Sequence, residues 1–351
     1  ALPALIVFSG LSARLRNVAT GNGRWGKWWP VVVALFVPLY MLLVAIVDLP
    51  LVYYQGYVRL HAYGLSNQSI AKWAGDHVKA LAVDAGVGVL VAWGAYGLLR
   101  LDPKRWWLWT ALGSIPFLFL GMLVMPIWID PLFNDFGPMK DKALERSILN
   151  LAEKAGIASG RVFEVEKSVD TNAVNAYVPG FLGTKRIVLW DTLLAKLDER
   201  EVLVVMAHEM GHYVLGHVVR SILLSFVVTL VGLYFVHRAA RGLIERFRGR
   251  LGFSDLADVA SAPLILMLVH IAMLFLTPVA MAYSRHQEHA SDRFAMELTG
   301  MKHSGASAFV KLQRENLSNP RPGWVYRIFR ASHPSIADRI EFCNEYQAVQ
   351  T

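Results

Sequence analysis

The stretch VVMAHEMGHYVLGH, residues 204–217, places two histidines four residues apart, with a glutamate directly after the first. On an α-helix positions i and i+4 share a face, so His208 and His212 can direct ring nitrogens at one ion. Glu209 falls on the adjacent surface, within reach of a water at that ion without being a ligand. This is the physical content of an HExxH pattern: two imidazoles for zinc and a carboxylate to take a proton from water. Three fixed positions also occur by chance, and in an apolar helix the competing reading is a pair of buried histidines. Two imidazoles and a carboxylate are costly to bury unless they are paired or metal-bound, which favours the metal.

A catalytic zinc takes three protein ligands and keeps a position for water. The longer pattern HExxHxxGxxH fails here, because Leu215 and Val218 stand where it needs Gly and His, with Gly216 and His217 beside them instead. On a continuing helix His217 faces away from His208 and reads as structural or as a cap. A better source of the third ligand is SRHQEHASD, residues 284–292. Glu288 and Asp292 lie at i and i+4 on an expected helix. Glu288 can bind zinc while Asp292 accepts the second ring N–H of a ligating histidine and fixes its tautomer. His286 and His289 are rival ligands that spacing alone does not separate from Glu288, and a solvated acidic face is the plain alternative.

The elements that must hold these residues are partly legible. Asp198 with Glu201 three positions later is a capping-box start, so HExxH sits in a helix that can run on into the next apolar stretch. Upstream, a helical pattern covers roughly 140–155. RVFEVE (161–166) alternates like a strand and KRIVLW (185–190) reads as another. Between them NAYVPGFLGT (175–184), with Pro179, Gly180 and Gly183, is a turn or hairpin tip.

The 351-residue chain is 55% hydrophobic, with a mean hydropathy of +0.39. That is too apolar for an ordinary soluble domain. Segments at roughly 31–49, 79–99, 106–129, 220–237 and 262–283 are long and apolar enough to span a bilayer. Trp25, Trp28, Trp29, Trp106, Trp107, Trp109 and Trp128 flank several of them, as amphipathic rings in a headgroup zone do. Asp48, Asp84 and His270 within spans suggest a wet cavity, although Asp48 also fits a hydrated interface. Cys343, the single cysteine, excludes an internal disulfide and any cysteine-based metal site. The formal net charge of +8 sits in short loops between spans, so membrane lipids and not nucleic acid are the expected surroundings. If the 201–219 helix does not itself cross, spans 220–237 and 262–283 separate His212 from Glu288, and two crossings return the chain to one side, where these residues can meet. The opening ALPALIVFSG is too short to cross and lacks the layout of a signal peptide. It reads as the end of a membrane helix in a longer chain.

Several motifs together resemble the type I CAAX prenyl endopeptidases, integral-membrane zinc metalloproteases of the gluzincin kind. They are HAYGLSNQS (61–69), PLFNDF (131–136), NAYVPGF followed by KRIVLWDTLL, HEMGHYVLGH, SRHQEHASD and SHPSIADRI (332–340), in the family's order over about residues 50–342. The resemblance implies one zinc per chain on His208, His212 and Glu288, with Glu209 as base. It also implies that Asn175 holds substrate backbone beside an edge strand and that His333 donates a hydrogen bond to substrate or transition state. The implied fold is mainly α, a multi-pass transmembrane helical barrel enclosing a chamber and capped by a zinc metalloprotease domain with a small β-hairpin or sheet.

The expected division is 1–130 transmembrane helices, 131–219 the protease domain with the HExxH helix, 220–283 two further transmembrane helices, and 284–351 a C-terminal protease segment with the third ligand. The implied reaction is hydrolysis of membrane-proximal or prenylated CAAX-type peptides, in a bacterial inner membrane or an endoplasmic-reticulum-type membrane. A transporter or channel whose histidines bind a permeating ion, and a catalytically dead scaffold, are the competing readings. On sidedness two expectations disagree. The family's catalytic side faces the cytosol, whereas the excess of Arg and Lys in loops 11–28, 100–105 and 238–261 places the opposite face there.

Overall fold

The computed structural model of the chain describes residues 2–21, 23–157, 161–178 and 186–347. Short helices α1 (Leu2–Phe8) and α2 (Leu11–Thr20) precede α3 (Trp29–Tyr53), which passes through a π-helical turn into α4 (Arg59–Ala62). α5 (Ile70–Leu101) and α6 (Trp106–Val124) follow. Next come strand β1 (Phe136–Pro138), α7 (Lys142–Lys154), β2 (Arg161–Val165), β3 (Ala176–Tyr177) and β4 (Arg186–Trp190). The remaining helices are α8 (Asp191–Lys196), α9 (Glu199–Val214), α10 (His217–Leu251), α11 (Ala262–Thr299), α12 (Lys302–Glu315), α13 (Trp324–Phe329) and α14 (Ile336–Glu345).

Five helical stretches are long and apolar enough to cross a membrane: Trp29–Ala62, Ile70–Leu101, Trp106–Leu132, His217–Leu251 and Val259–Thr299. Each contains one of the expected apolar segments and overruns it, because a helix does not end where hydrocarbon does. α11 thereby includes SRHQEHASD in the same helix as its apolar part. Asp48, Asp84 and His270 are all exposed, and His270 Nδ1 lies 2.6 Å from its own helix at the Leu266 carbonyl.

The chain divides into two compact units, 1–56 with 70–117 and 223–276, and 57–69 with 118–222 and 277–351. In the first, Phe36, Trp106, Val236 and Leu264 are almost fully buried in one apolar cluster. The short helix α2 is tied to the turn before α11, where Ser12 Oγ donates to the Ala260 carbonyl at 2.5 Å and Arg16 pairs with Asp258. Tyr96 and Ser261 share a hydroxyl–hydroxyl hydrogen bond of 2.9 Å in the same layer.

In the second unit a four-stranded sheet, ordered β1-β2-β4-β3, packs with α7, α8, α9 and α12 around Ile148, Leu189, Leu193, Met206 and Met210. The strands expected from alternation at 161–166 and 185–190 are present and lie side by side. They pair in parallel, Arg161 opposite Arg186 through Val165 opposite Trp190. The chain between them is therefore a crossover, and the hairpin is made by β3 and β4, which are antiparallel. Its tip, Pro179, Gly180 and Gly183, lies outside the described residues. β4 is central, and Ile187, Val188 and Leu189 are all buried, as expected of a strand covered on both faces.

The capping box forms as read. Asp198 accepts from the Glu201 backbone N–H at 3.0 Å, and Glu201 accepts from the Asp198 backbone N–H at 2.8 Å. Glu201 is itself buried, and Ser307 and Lys311 of α12 both donate to it at 2.6 Å. A residue expected to cap α9 thus also anchors α12. The far end of α9 departs from expectation: the helix does not run on into the next span. Gly216 adopts φ +67°, a left-handed conformation that ends α9, and α10 starts afresh at His217.

Candidate metal centre

His208 and His212 project from one face of α9, and Gly211 lets that helix come close to α11. A Cβ at Gly211 would lie 3.1 Å from the Phe294 ring and 3.3 Å from the Ser291 Cα. That approach brings Glu288 against both histidines. His208 Nε2 and His212 Nε2 are 3.2 Å apart. Glu288 Oε2 is 3.2 Å from His208 Nε2, and Glu288 Oε1 is 3.3 Å from His212 Nε2. Two donors bonded tetrahedrally to one zinc at about 2.0–2.1 Å are separated by roughly 3.3–3.4 Å. The three side chains therefore have the spacing of ligands sharing one ion. Glu288 Oε2 is buried and, among the described residues, receives no well-formed hydrogen bond, although imidazole nitrogens of His208 and His333 lie at 3.2 and 3.3 Å. Each residue offers one ligand atom and these atoms all lie within 4.8 Å of one another, so the set fits a divalent cation.

Behind this set, Asp292 lies 2.8 Å from His208 Nδ1, so His208 donates Nδ1–H to the carboxylate and turns Nε2 toward Glu288. Arg339, buried, clamps Asp292 with Nε–Oδ2 at 2.9 Å and Nη2–Oδ1 at 2.6 Å and stacks over the Phe309 ring at 4.0 Å. Burial disfavours the charged imidazole of His208, as does Arg339, but the Asp292 and Glu288 carboxylates together outweigh them and hold the group's pKa up at about 9. Burial also pushes the Glu209 carboxyl above its ordinary range, an effect that His208 and His212 partly offset.

His217 is placed differently from its expected position. Because Gly216 breaks the helix, its ring swings back, and His217 Nδ1 sits 3.0 Å from His212 Nδ1, with Ser291 Oγ at 3.4 Å. His217 thus backs His212 as Asp292 backs His208, a structural role, as expected, but reached from a place that was not. The signal was available in the glycine directly before it, a usual helix terminator. Arg339 was also missed, although it lies within SHPSIADRI. A buried arginine meeting a carboxylate from another helix leaves no trace in local spacing. The rivals of Glu288 do not converge: His286 and His289 are exposed, and His289 packs edge-on against Phe342 at 4.7 Å.

A cavity of about 120 Å³ opens over the set and is lined by Asn175, Ala176, His208, Glu209, His333 and Arg339, among others. Asn175 precedes the edge strand β3. Its Oδ1 accepts from the Ala176 N–H at 2.9 Å, and its carbonyl accepts from the Trp190 N–H at 3.2 Å. His333 lines the same cavity, Nδ1 2.9 Å from Ser332 Oγ and Nε2 3.3 Å from Glu288 Oε2, and burial lowers its pKa, an effect the Glu288 carboxylate partly offsets, so the ring is predominantly neutral at neutral pH.

Five membrane-length helices and a His–His–Glu set, two members from the HExxH helix α9 and one from α11, define an integral-membrane metallopeptidase. Residues 138–347 match peptidase family M48, and residues 1–135 match the CAAX prenyl protease N-terminal region of five membrane helices. The chain belongs to peptidase family M48. It is 39% identical to the uncharacterized metalloprotease YhfN of Bacillus subtilis, over 87% of this chain and 72% of that protein. It is 30% identical to CAAX prenyl protease 1 of Saccharomyces cerevisiae, over 87% of this chain and 70% of that one. Its fold is that of the crystal structure of S. mikatae Ste24p, with a TM-score of 0.82 at 24% identity, covering 96% of this chain and 81% of that one. Membership of a peptidase family disfavours the transporter and dead-scaffold readings.

Proposed function

We propose that this chain is a zinc endopeptidase that holds one ion on His208, His212 and Glu288 and cleaves prenylated, CAAX-type C-terminal peptides at the membrane. The observation that carries the reading is the 3.2–3.3 Å spacing of the three ligand side chains beside a cavity that Glu209 lines. A zinc ion there would supply Lewis acidity and bring the pKa of a bound water to roughly 7. Glu209, its carboxyl pushed up by burial, takes the water proton and passes it to the leaving amine. Asp292 and Arg339 hold His208 in the Nδ1–H tautomer, and His217 orients His212. Neutral His333 donates a hydrogen bond to the oxyanion that develops on the scissile carbonyl. An extended peptide adds beside β3, with Asn175 positioning its backbone. The substrate class is supported by relatives named CAAX prenyl protease 1 and by the five apolar helices, which keep the chain beside lipid-anchored peptides.

The test is to purify the chain in detergent, measure bound zinc, and compare cleavage of a farnesylated CAAX peptide and its unprenylated twin by wild type and Glu209→Gln. The expected result is about one zinc in both proteins, with cleavage by the variant down roughly 10²–10⁴-fold. Undiminished cleavage by the variant refutes the role of Glu209. Equal cleavage of the two peptides refutes the prenyl preference and leaves the peptidase reading standing.

A further inference from the structure

Within the first unit, well separated in sequence from the metal set, a partly open cleft of about 580 Å³ lies at the loop ends of α5, α6 and α10. Its cations are Lys104, Arg238, Arg241 and Arg248, and its carboxylates are Glu245 and Asp255. Arg241 Nε donates to Glu245 at 3.0 Å, Asp255 accepts the Ala257 backbone N–H at 2.9 Å and keeps its charge, and the cations still outnumber the two carboxylates. No ion pair among the described residues holds Lys104, Arg238 or Arg248. The cleft therefore carries uncompensated positive charge against a low-dielectric wall, which focuses its field on an anion.

A second, independent observation points to a ligand. Trp106, at the first position of α6, is only 1% exposed and lines the same cleft, yet its indole N–H finds no acceptor among the described residues. A buried donor left unpaired is disfavoured, and an indole N–H has no use except to donate. The rest of the lining includes apolar Leu99, Ile244 and Leu256. Next to it, Trp107 packs edge-on against Tyr234 at 4.9 Å, the kind of aromatic pair favoured at headgroup depth. Cations, an orphaned N–H and an apolar floor at the polar ends of membrane-length helices match the phosphate and glycerol region of a lipid better than a free ion.

We propose that this cleft binds the phosphate of an anionic phospholipid, with Lys104, Arg238 and Arg248 around the charge and the Trp106 N–H donating to a headgroup oxygen. The test uses the full chain, delipidated in neutral detergent and titrated with dihexanoyl phosphatidylglycerol, dihexanoyl phosphatidylcholine or inorganic phosphate, with binding read by native mass spectrometry and thermal shift. Wild type is expected to prefer phosphatidylglycerol roughly tenfold or more. Arg238→Gln with Arg248→Gln should abolish that preference, and Trp106→Phe, which keeps the ring and removes the N–H, should weaken phosphatidylglycerol severalfold. Lys104→Gln, at an exposed position, is expected to weaken it severalfold and serves if the double variant fails to fold. Peptide cleavage in detergent should be unchanged in every variant and reports that the fold is intact. Equal binding of the two lipids, or a preference that survives in folded variants, overturns the proposal. So does inorganic phosphate displacing phosphatidylglycerol at similar concentration, which would assign the cleft to a free anion.

Discussion

Asp292 is proposed to support the metal centre without being a ligand. It fixes the His208 ring and is itself fixed by Arg339. Asp292→Asn keeps the shape and removes the charge, and it is expected to weaken zinc retention by about 10–100-fold, read by competition with a chromophoric chelator. Unchanged affinity would remove Asp292 from the site. The same carboxylate sets a pH dependence. Because it and Glu288 together hold the His208 pKa at about 9, a second proton occupies the ring below that pH and must leave when a metal arrives. Apparent zinc affinity should therefore fall as pH drops below about 9, by up to roughly tenfold per unit from this proton alone. A flat affinity between pH 9 and 7 would contradict this coupling.

The decisive elements are α9 and α11, and the break that separates α9 from α10. Gly216 has φ +67° and open space around its Cβ position, so Gly216→Ala is opposed by backbone conformation and not by crowding. The expected cost is about 1–2 kcal/mol of stability. If α9 then extends, His217 is carried off His212. We expect a lower melting temperature together with weaker zinc retention, and Gly216→Asn, which tolerates the left-handed region, should recover part of both. Stability lost with zinc affinity intact would show that the break does not position His217.

Legibility from sequence follows the range of the interaction at each position. HExxH and the capping box of Asp198 and Glu201 are local, so periodicity alone located them. Glu288 could not be told from His286 and His289 by spacing, because the choice depends on which side of α11 meets α9, and the packing at Gly211 decides that. The parallel pairing of β2 with β4 and the Arg339–Asp292 clamp join segments far apart in the chain, and no local pattern encodes them. His217 was misplaced for a different reason: a helix was extended across a glycine that ends it.

At the scale of the whole molecule, apolar composition and the metal set make one joint claim, that hydrolysis occurs in a chain that cannot leave the bilayer. The five membrane-length helices have the length and apolar composition that crossing a bilayer demands. The chain is expected to stay in the membrane pellet through alkaline carbonate washing and to be released by detergent. Release by carbonate alone would contradict the spans. Treating the detergent-purified protein with a chelator should abolish cleavage, and about one equivalent of zinc should restore it. Activity that survives complete removal of metal would contradict the assignment as a metallopeptidase.

The most direct measurement is anomalous diffraction from crystals of the zinc-loaded protein, recorded on both sides of the zinc absorption edge. The account predicts one strong peak in the second unit, at about 2.0–2.2 Å from His208 Nε2, His212 Nε2 and a Glu288 carboxylate oxygen. A peak bonded to other residues, or none at these three in crystals that retain zinc, would contradict it.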